Sequence, residues 1–345
     1  LFQWNSFSRR DPNRRPITMA SVKKLSADAR AERNEPPRSF DTLSRVVEEA
    51  REELNDAPVD PLAVGTPDGY GGKFPIYEDA AFADREPPLW TIKGVLPKAD
   101  LGVLYGASGS GKSFVALDMA MAIARGVDWR GRKVRQGRVL LIVAEGGGGM
   151  SLRLRAYRDH HGLGKERLSV GIMHAIPNML DQDDVAEVIT SLAAAKGFDL
   201  IIIDTFAQVT AGANENSGED MGNALRHCRA IRDATGAMVL LVHHSGKDSS
   251  KGARGWSGIR AAADVELEAV RPEGSPVRLL RVSKQKDGDD NLQWGFTLEK
   301  IMLGVDADNE ALTSMVVVDA EVPTEQPVED RPPPKRRLGI WEQVV

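Results

Sequence analysis

Leu101-Gly-Val-Leu-Tyr105 runs into Gly106-Ala107-Ser108-Gly109-Ser110-Gly111-Lys112-Ser113-Phe114, and the reading of that stretch decides the fold. An apolar run of strand length, then G-x-x-x-x-G-K-[ST], then an Ala- and Met-rich segment from Phe114 to Ala124 reads as strand, phosphate loop and helix in that order. The glycines let successive backbone N–H groups converge on an anion. Lys112 neutralises charge on β- and γ-phosphates, and the Ser113 hydroxyl is placed to ligate a Mg²⁺ between them. The stretch predicts a nucleoside triphosphate site whose cofactors are ATP and Mg²⁺. The competing interpretation, a Gly/Ser turn with no ligand, leaves the strand–loop–helix setting unexplained.

Working outward, apolar runs recur at Leu101 to Tyr105, Arg138 to Ala144, Leu168 to Met173, Leu200 to Asp204 and Met238 to His243, with helical segments between most of them. Such alternation implies a mainly parallel sheet with helices on both faces and ligands at the carboxyl ends of the strands. Past Val265 the runs follow one another without helices, at Val265 to Val270, Val277 to Val282, Gly295 to Ile301 and Met315 to Asp319. These predict an antiparallel C-terminal extension of the same sheet. The fold class is therefore α/β, a P-loop NTPase core.

Four segments are expected. Residues 1–39, rich in Arg, Asn, Pro and Ser, read as disordered. Residues 40–87 read as an amphipathic helix and a linker. Leu43, Val46, Val47, Ala50 and Leu54 share one helical face, suited to dock on a neighbour or on the chain's own domain, and a Pro/Gly stretch from Ala57 to Pro75 follows. Residues 88–320 form the ATPase domain, and 321–345 an acidic, Pro-rich tail. Across 345 residues, 41% of them hydrophobic, the net charge is −5, which argues against a protein that coats nucleic acid through a global basic surface. It leaves room for a few basic loops lining a channel. A single cysteine, Cys228, cannot form an internal disulfide, and no run approaches the length needed to cross a bilayer. The expectation is a cytoplasmic protein with no membrane partner.

Hydrolysis of a γ-phosphate needs a second hold on Mg²⁺, a group that activates water, and positive charge for the transition state. Leu200-Ile-Ile-Ile-Asp204-Thr205 is an apolar strand ending in a carboxylate, so Asp204 joins Ser113 as a metal ligand; capping of the next helix is the alternative for it. Arg138-Val-Leu-Leu-Ile-Val-Ala144-Glu145 puts an acid at another carboxyl end, before the glycines Gly146 to Gly149, which read as a flexible turn. Glu145 is the candidate general base. Ala237 to His244 ends in two histidines, either of which in neutral form could hydrogen-bond the γ-phosphate or the attacking water. If the strand persists, His243 and His244 point to opposite faces and one of them is packed. Beyond them the loop carries Lys247, Lys251 and Arg254, three cations suited to nucleic acid or to solvent. Arg281-Val-Ser-Lys284-Gln-Lys286 ends a strand with cations suited to a phosphate on the same or a neighbouring subunit, or to an ordinary charged hairpin.

These residues together resemble a family. From Pro88 to about Asp319 the chain is similar to the RecA-like ATPase core of the plasmid RepA-type hexameric replicative helicases, including the AAA-type ATPases of phages and prophages. The resemblance rests on Gly106 to Ser113, Ala144-Glu145-Gly146, Ile203-Asp204-Thr205, His243-His244-Ser-Gly-Lys247 and Arg254-Gly-Trp-Ser-Gly-Ile-Arg260 with Ala-Ala-Ala-Asp264. It implies a homo-oligomer, a hexameric ring with ATP between subunits, Glu145 as catalytic carboxylate and His244 or His243 as phosphate sensor. Arg254, with Lys284 or Lys286, would then act in trans. The function expected is an ATP-driven motor on single-stranded DNA in replication or recombination. The alternatives are an ATP-switched loader or scaffold for a replication or recombination partner protein, and a P-loop small-molecule kinase. The chain lacks both an Arg-bearing lid and the Asn-Lys-x-Asp signature of guanine recognition.

Overall fold

The computed structural model describes residues 40–54, 79–84, 87, 89–145, 147–245 and 258–323. Residues 1–39, most of the linker and tail, and Lys247, Lys251 and Arg254 lie outside them. The strands are β1 (Trp90–Ile92), β2 (Leu96–Pro97), β3 (Leu101–Gly106), β4 (Val139–Val143), β5 (Val170–Met173), β6 (Leu200–Asp204), β7 (Met238–His244), β8 (Val265–Val270), β9 (Arg278–Gln285), β10 (Gln293–Val305) and β11 (Ala311–Ala320). The main helices are α1 (Phe40–Leu54), α3 (Lys112–Arg125), α4 (Gly147–His160), α5 (Gln182–Ala194) and α7 (Gly218–Thr235). Short helices α2 (Asp79–Ala83), α6 (Phe206–Val209) and α8 (Gly258–Ala262) complete the set.

Nine strands form one sheet in the order β11-β10-β9-β8-β3-β7-β6-β4-β5. From β8 to β5 the pairs are parallel, and β8 to β11 are antiparallel. This is the α/β architecture expected of a RecA-like core with its antiparallel extension. The small β1–β2 pair stands apart and was not anticipated, because its strands are too short to show a period.

Each central strand is buried along its whole length, with alternate residues feeding two separate cores. On β6, Leu200 and Ile202 join the core under α3 and α4, while Ile201 and Ile203 join the one under α1, α5 and α7. A continuous Val/Ile/Leu run is what a strand covered on both faces requires. Helix α3 is apolar nearly all round because it lies between the parallel strands and the antiparallel extension, and small Ala side chains let it approach both. Helix α1 docks on its own domain: Leu43, Val46 and Ala50 are buried in the second core, and Arg51 Nε donates to the Asp233 carbonyl at 2.7 Å.

One expectation is corrected. Gly147 to Gly149 do not form a free turn; they begin α4. Poor helix formers are overridden here because Met150, Ala156 and Tyr157, further along the same helix, are buried in the core. Boundaries shift too: β9 runs on to Gln285 and β10 to Val305, since antiparallel pairing continues after the apolar alternation ends.

At the amino end of β3 a polar cluster ties the parallel and antiparallel parts together. Asp264 Oδ2 accepts from Leu101 N at 3.4 Å, and Lys286 is ion-paired with Asp264. Despite its burial, Asp264 is held below the usual carboxylate range by the Lys286 ammonium. Neighbouring Asp100 is pushed up to about 7, by burial first and by the Asp264 charge second. Because Asp100 holds its proton longer in the folded protein than in the unfolded chain, its contribution to stability falls as pH rises from its ordinary 3.8 to about 7. Asp100→Asn is expected to flatten the pH dependence of the melting temperature in that window, with the variant the more stable protein above it; thermal melts across pH 4 to 8 check this.

Candidate active site

The phosphate loop is shaped by contacts that leave no room for side chains. An ideal Cβ on Gly106 would lie 2.2 Å from the Ala269 carbonyl oxygen and 2.8 Å from Ser110 Oγ. Gly109 and Gly111 hold φ of 73° and 100°, which only glycine adopts without strain. Gly111 is the N-cap of α3, so the loop delivers its amides to the positive end of that helix. Ser245 N donates to Gly106 O at 3.0 Å and joins the end of β7 to the start of the loop.

Lys112 is 6% exposed and donates from Nζ to the carbonyls of Gly106 (3.0 Å) and Ala107 (2.9 Å). Burial lowers its pKa, against the pull of Asp204 and Glu145. Asp204, at the end of β6, is 7% exposed; burial raises its pKa, opposed by a hydrogen bond with Ser113 and by the nearby Arg153 guanidinium. Its Oδ1 is buried without a hydrogen-bond partner. A hydroxyl and an unspent carboxylate oxygen side by side are the donor set a Mg²⁺ takes, so these residues fit the ion.

Glu145 follows β4 and is fixed from two sides. Its backbone N–H and that of Ala144 both donate to Asp204 O (3.2 and 2.8 Å), and Thr205 Oγ1 donates to Glu145 Oε2 at 3.2 Å. Lys112, Ser113, Glu145, Asp204, Thr205 and His244 line one cleft of about 240 Å³ together with Ser108, Gly109, Phe114 and Arg153. The two histidines divide as their alternation predicts. His244 pairs in register with Gly106 and faces the cleft, whereas His243 is 1% exposed and lies edge-on to Phe206 at 5.8 Å.

Two residues of the cleft escape a sequence reading. Arg153 comes in on α4, its guanidinium 4.8 Å above the Phe114 ring, and Thr205 orients Glu145. The position of Thr205 beside Asp204 was the available signal. Lys284 and Lys286 are not in the cleft. Lys284 Nζ donates to the carbonyls of Arg260 (2.7 Å) and Ala263 (2.6 Å) at the end of α8, beside the Asp264–Lys286 pair. A larger cleft, about 380 Å³, runs along edge strand β5, where Arg138 donates to the carbonyls of Ala195, Lys196 and Gly197 and so caps α5. That arginine is spent on the fold.

Residues 74–250, just over half of the 345-residue chain, match the family described as AAA domain. The chain belongs to that family. The span takes in the phosphate loop, Glu145, Asp204 and both histidines. Among solved structures, the ATPase domain of a helicase aligns at a TM-score of 0.45 and 11% identity, over 58% of this chain and 82% of that one. The RadB recombinase aligns at 0.43 and 13%, over 59% and 88%. No helix among the described residues of this AAA domain protein is long and apolar enough to cross a membrane.

Gly106→Ala is expected to cost about 1–3 kcal/mol in denaturant unfolding, as overpacking does, and to abolish nucleotide binding. Gly148→Ala is the control. Its added Cβ meets nothing within 4 Å inside a helix, so it should stabilise the protein by about 0.5–1 kcal/mol and leave nucleotide binding intact.

Proposed function

We propose that this protein is an ATPase that hydrolyses ATP with Mg²⁺ and works as a homo-oligomeric ring on single-stranded DNA in replication or recombination. The observation that carries the catalytic part is the convergence of Lys112, the Ser113–Asp204 pair and Glu145 on one cleft. Ser113 and Asp204 would hold the metal, which supplies charge neutralisation and holds the phosphates for displacement. Lys112 is positioned to leave the loop carbonyls for phosphate oxygens, a stronger, charge-assisted contact. Glu145 takes a proton from the attacking water, its carboxylate aimed by Thr205. His244, at the cleft wall beside the loop, is the better placed of the two histidines to sense the γ-phosphate.

The DNA and assembly parts of the reading are supported by the sequence between β7 and α8. Lys247, Lys251 and Arg254 there follow directly from the cleft strand that ends in His244, the placement that contact with a nucleic-acid strand and with a neighbour's phosphates requires. Lys284 and Lys286, which cannot serve their own cleft, are further candidates for contacts across a subunit boundary.

Lys112→Ala is expected to lose most ATP affinity in equilibrium binding. Glu145→Gln should bind ATP but hydrolyse it at least about a hundredfold more slowly, the range for loss of a general base. Wild-type turnover should rise on addition of single-stranded DNA, and mass measurement should find an oligomer. Hydrolysis indifferent to DNA, with no displacement of an annealed strand, would favour the loader or scaffold. Phosphate transfer to a small acceptor in place of water would favour a kinase.

A further inference from the structure

The acids of the cleft all reach the phosphate loop from one flank, where β7, β6 and β4 lie beyond β3. The opposite flank belongs to β8 and β9. Val270 pairs with Leu279, which sets Arg271 and Arg278 across from each other at the mouth of the turn joining these strands. Because β8 runs parallel to β3 with Glu268 beside Tyr105, that mouth lies level with the loop. An ideal Cβ on Gly109 would sit 3.8 Å from Arg271 Nη1, and one on Gly111 would sit 3.4 Å from Arg278 Cδ.

This flank concentrates positive charge. Burial, then the Arg271 charge, lowers the pKa of Arg278. Both guanidiniums lie near the N-cap of α3, the positive end of that helix, and Lys112 is the next residue along. Among the described residues neither arginine has a carboxylate partner. Arg278 Nε is buried and makes no hydrogen bond. An N–H left in that state is costly, and like charges held together add to the cost, unless an anion with several oxygens completes the arrangement. The planar fork of arginine matches phosphate.

We propose that Arg271 and Arg278 form a cis cation pair that grips phosphate oxygens of the bound nucleoside triphosphate from the flank opposite Glu145 and Asp204. This rests on the assignment of the cleft as an ATP site. Arg278, half-buried beside Phe296, is the fixed member, and exposed Arg271 is the arm that closes on the phosphates. A phosphodiester of single-stranded DNA offers the same chemistry from another source.

The test uses the full chain and fluorescent mant-ATP, mant-ADP and mant-AMP without DNA, with anisotropy of labelled oligo(dT) as a separate arm. Arg271→Gln and Arg278→Gln should each weaken mant-ATP binding about tenfold, with a smaller loss for mant-AMP, and Arg278→Lys should recover part of it. Melting temperatures without nucleotide should stay level or rise, because an unpaired charge has been removed. Unchanged mant-ATP affinity in Arg271→Gln, or a loss confined to oligo(dT), would overturn the proposal. So would a nucleotide-free Arg278→Gln protein that melts well below wild type, since the guanidinium would then serve the fold. If wild type binds no mant-ATP, or Lys112→Ala binds it as well as wild type does, the ATP-site assignment itself fails. If Lys112→Ala alone loses binding, only the arginine pair fails.

Discussion

Charge held at the carboxyl edge of an apolar sheet is the constraint on which the rest of this structure depends. Lys112 and Asp204 are 6% and 7% exposed, and neither is paired with the other in a salt bridge that would settle its desolvation. Lys112 turns to two loop carbonyls and Asp204 to one hydroxyl, with an oxygen left over. Isolated buried charges are expensive, so a chain that keeps several of them at one edge is organised for a ligand that carries the complementary charge. The parallel strands supply the rigidity: each is buried on both faces, so the side chain that leaves its carboxyl end is aimed by the sheet and not by a loop.

The same logic explains why the loop has so little freedom. Gly106 lies against the Ala269 carbonyl of β8 on one side and is bonded to Ser245 beyond β7 on the other. The loop is thus clamped between the two strands that flank β3, and the acids and the arginines stand on opposite sides of that clamp. A triphosphate there would meet carboxylates with their metal from one flank and guanidiniums from the other. That division separates the groups that do the chemistry from those that hold charge.

Much of this was legible in the sequence because the physics is local. A strand covered on both faces must be a continuous apolar run, so Leu200 to Asp204 and Met238 to His243 announce themselves and their last residues announce the edge. Strand alternation assigned His243 and His244 to different surroundings. Arg153 was hidden because its helix opens on glycines, whose weak propensity reads as a turn; only the packing of Met150 and Tyr157 makes that segment helical. Arg271 and Arg278 were hidden for a different reason. They are brought to the loop by strand register between β8, β9 and β3, a non-local pairing that no periodicity within a single segment reveals.

Register also bears on Lys284 and Lys286. Gln285 is opposite Val265, and Val265 is opposite Gly102, so these lysines sit at the amino end of β3 while the phosphate loop leaves its carboxyl end. A six-residue strand at about 3.3 Å per residue separates the two by roughly 20 Å, well beyond the reach of a lysine side chain. Any phosphate they contact must therefore belong to another molecule. Lys284 meanwhile holds the last carbonyls of α8, and Arg260 of that helix is ion-paired with buried Glu266 at 3.1 Å. Helix α8 comes directly out of the segment with Lys247, Lys251 and Arg254. The residues suited to a neighbour's phosphates and those suited to a nucleic-acid strand are thus joined through one short helix, so a displacement of either must strain the bonds that hold the other.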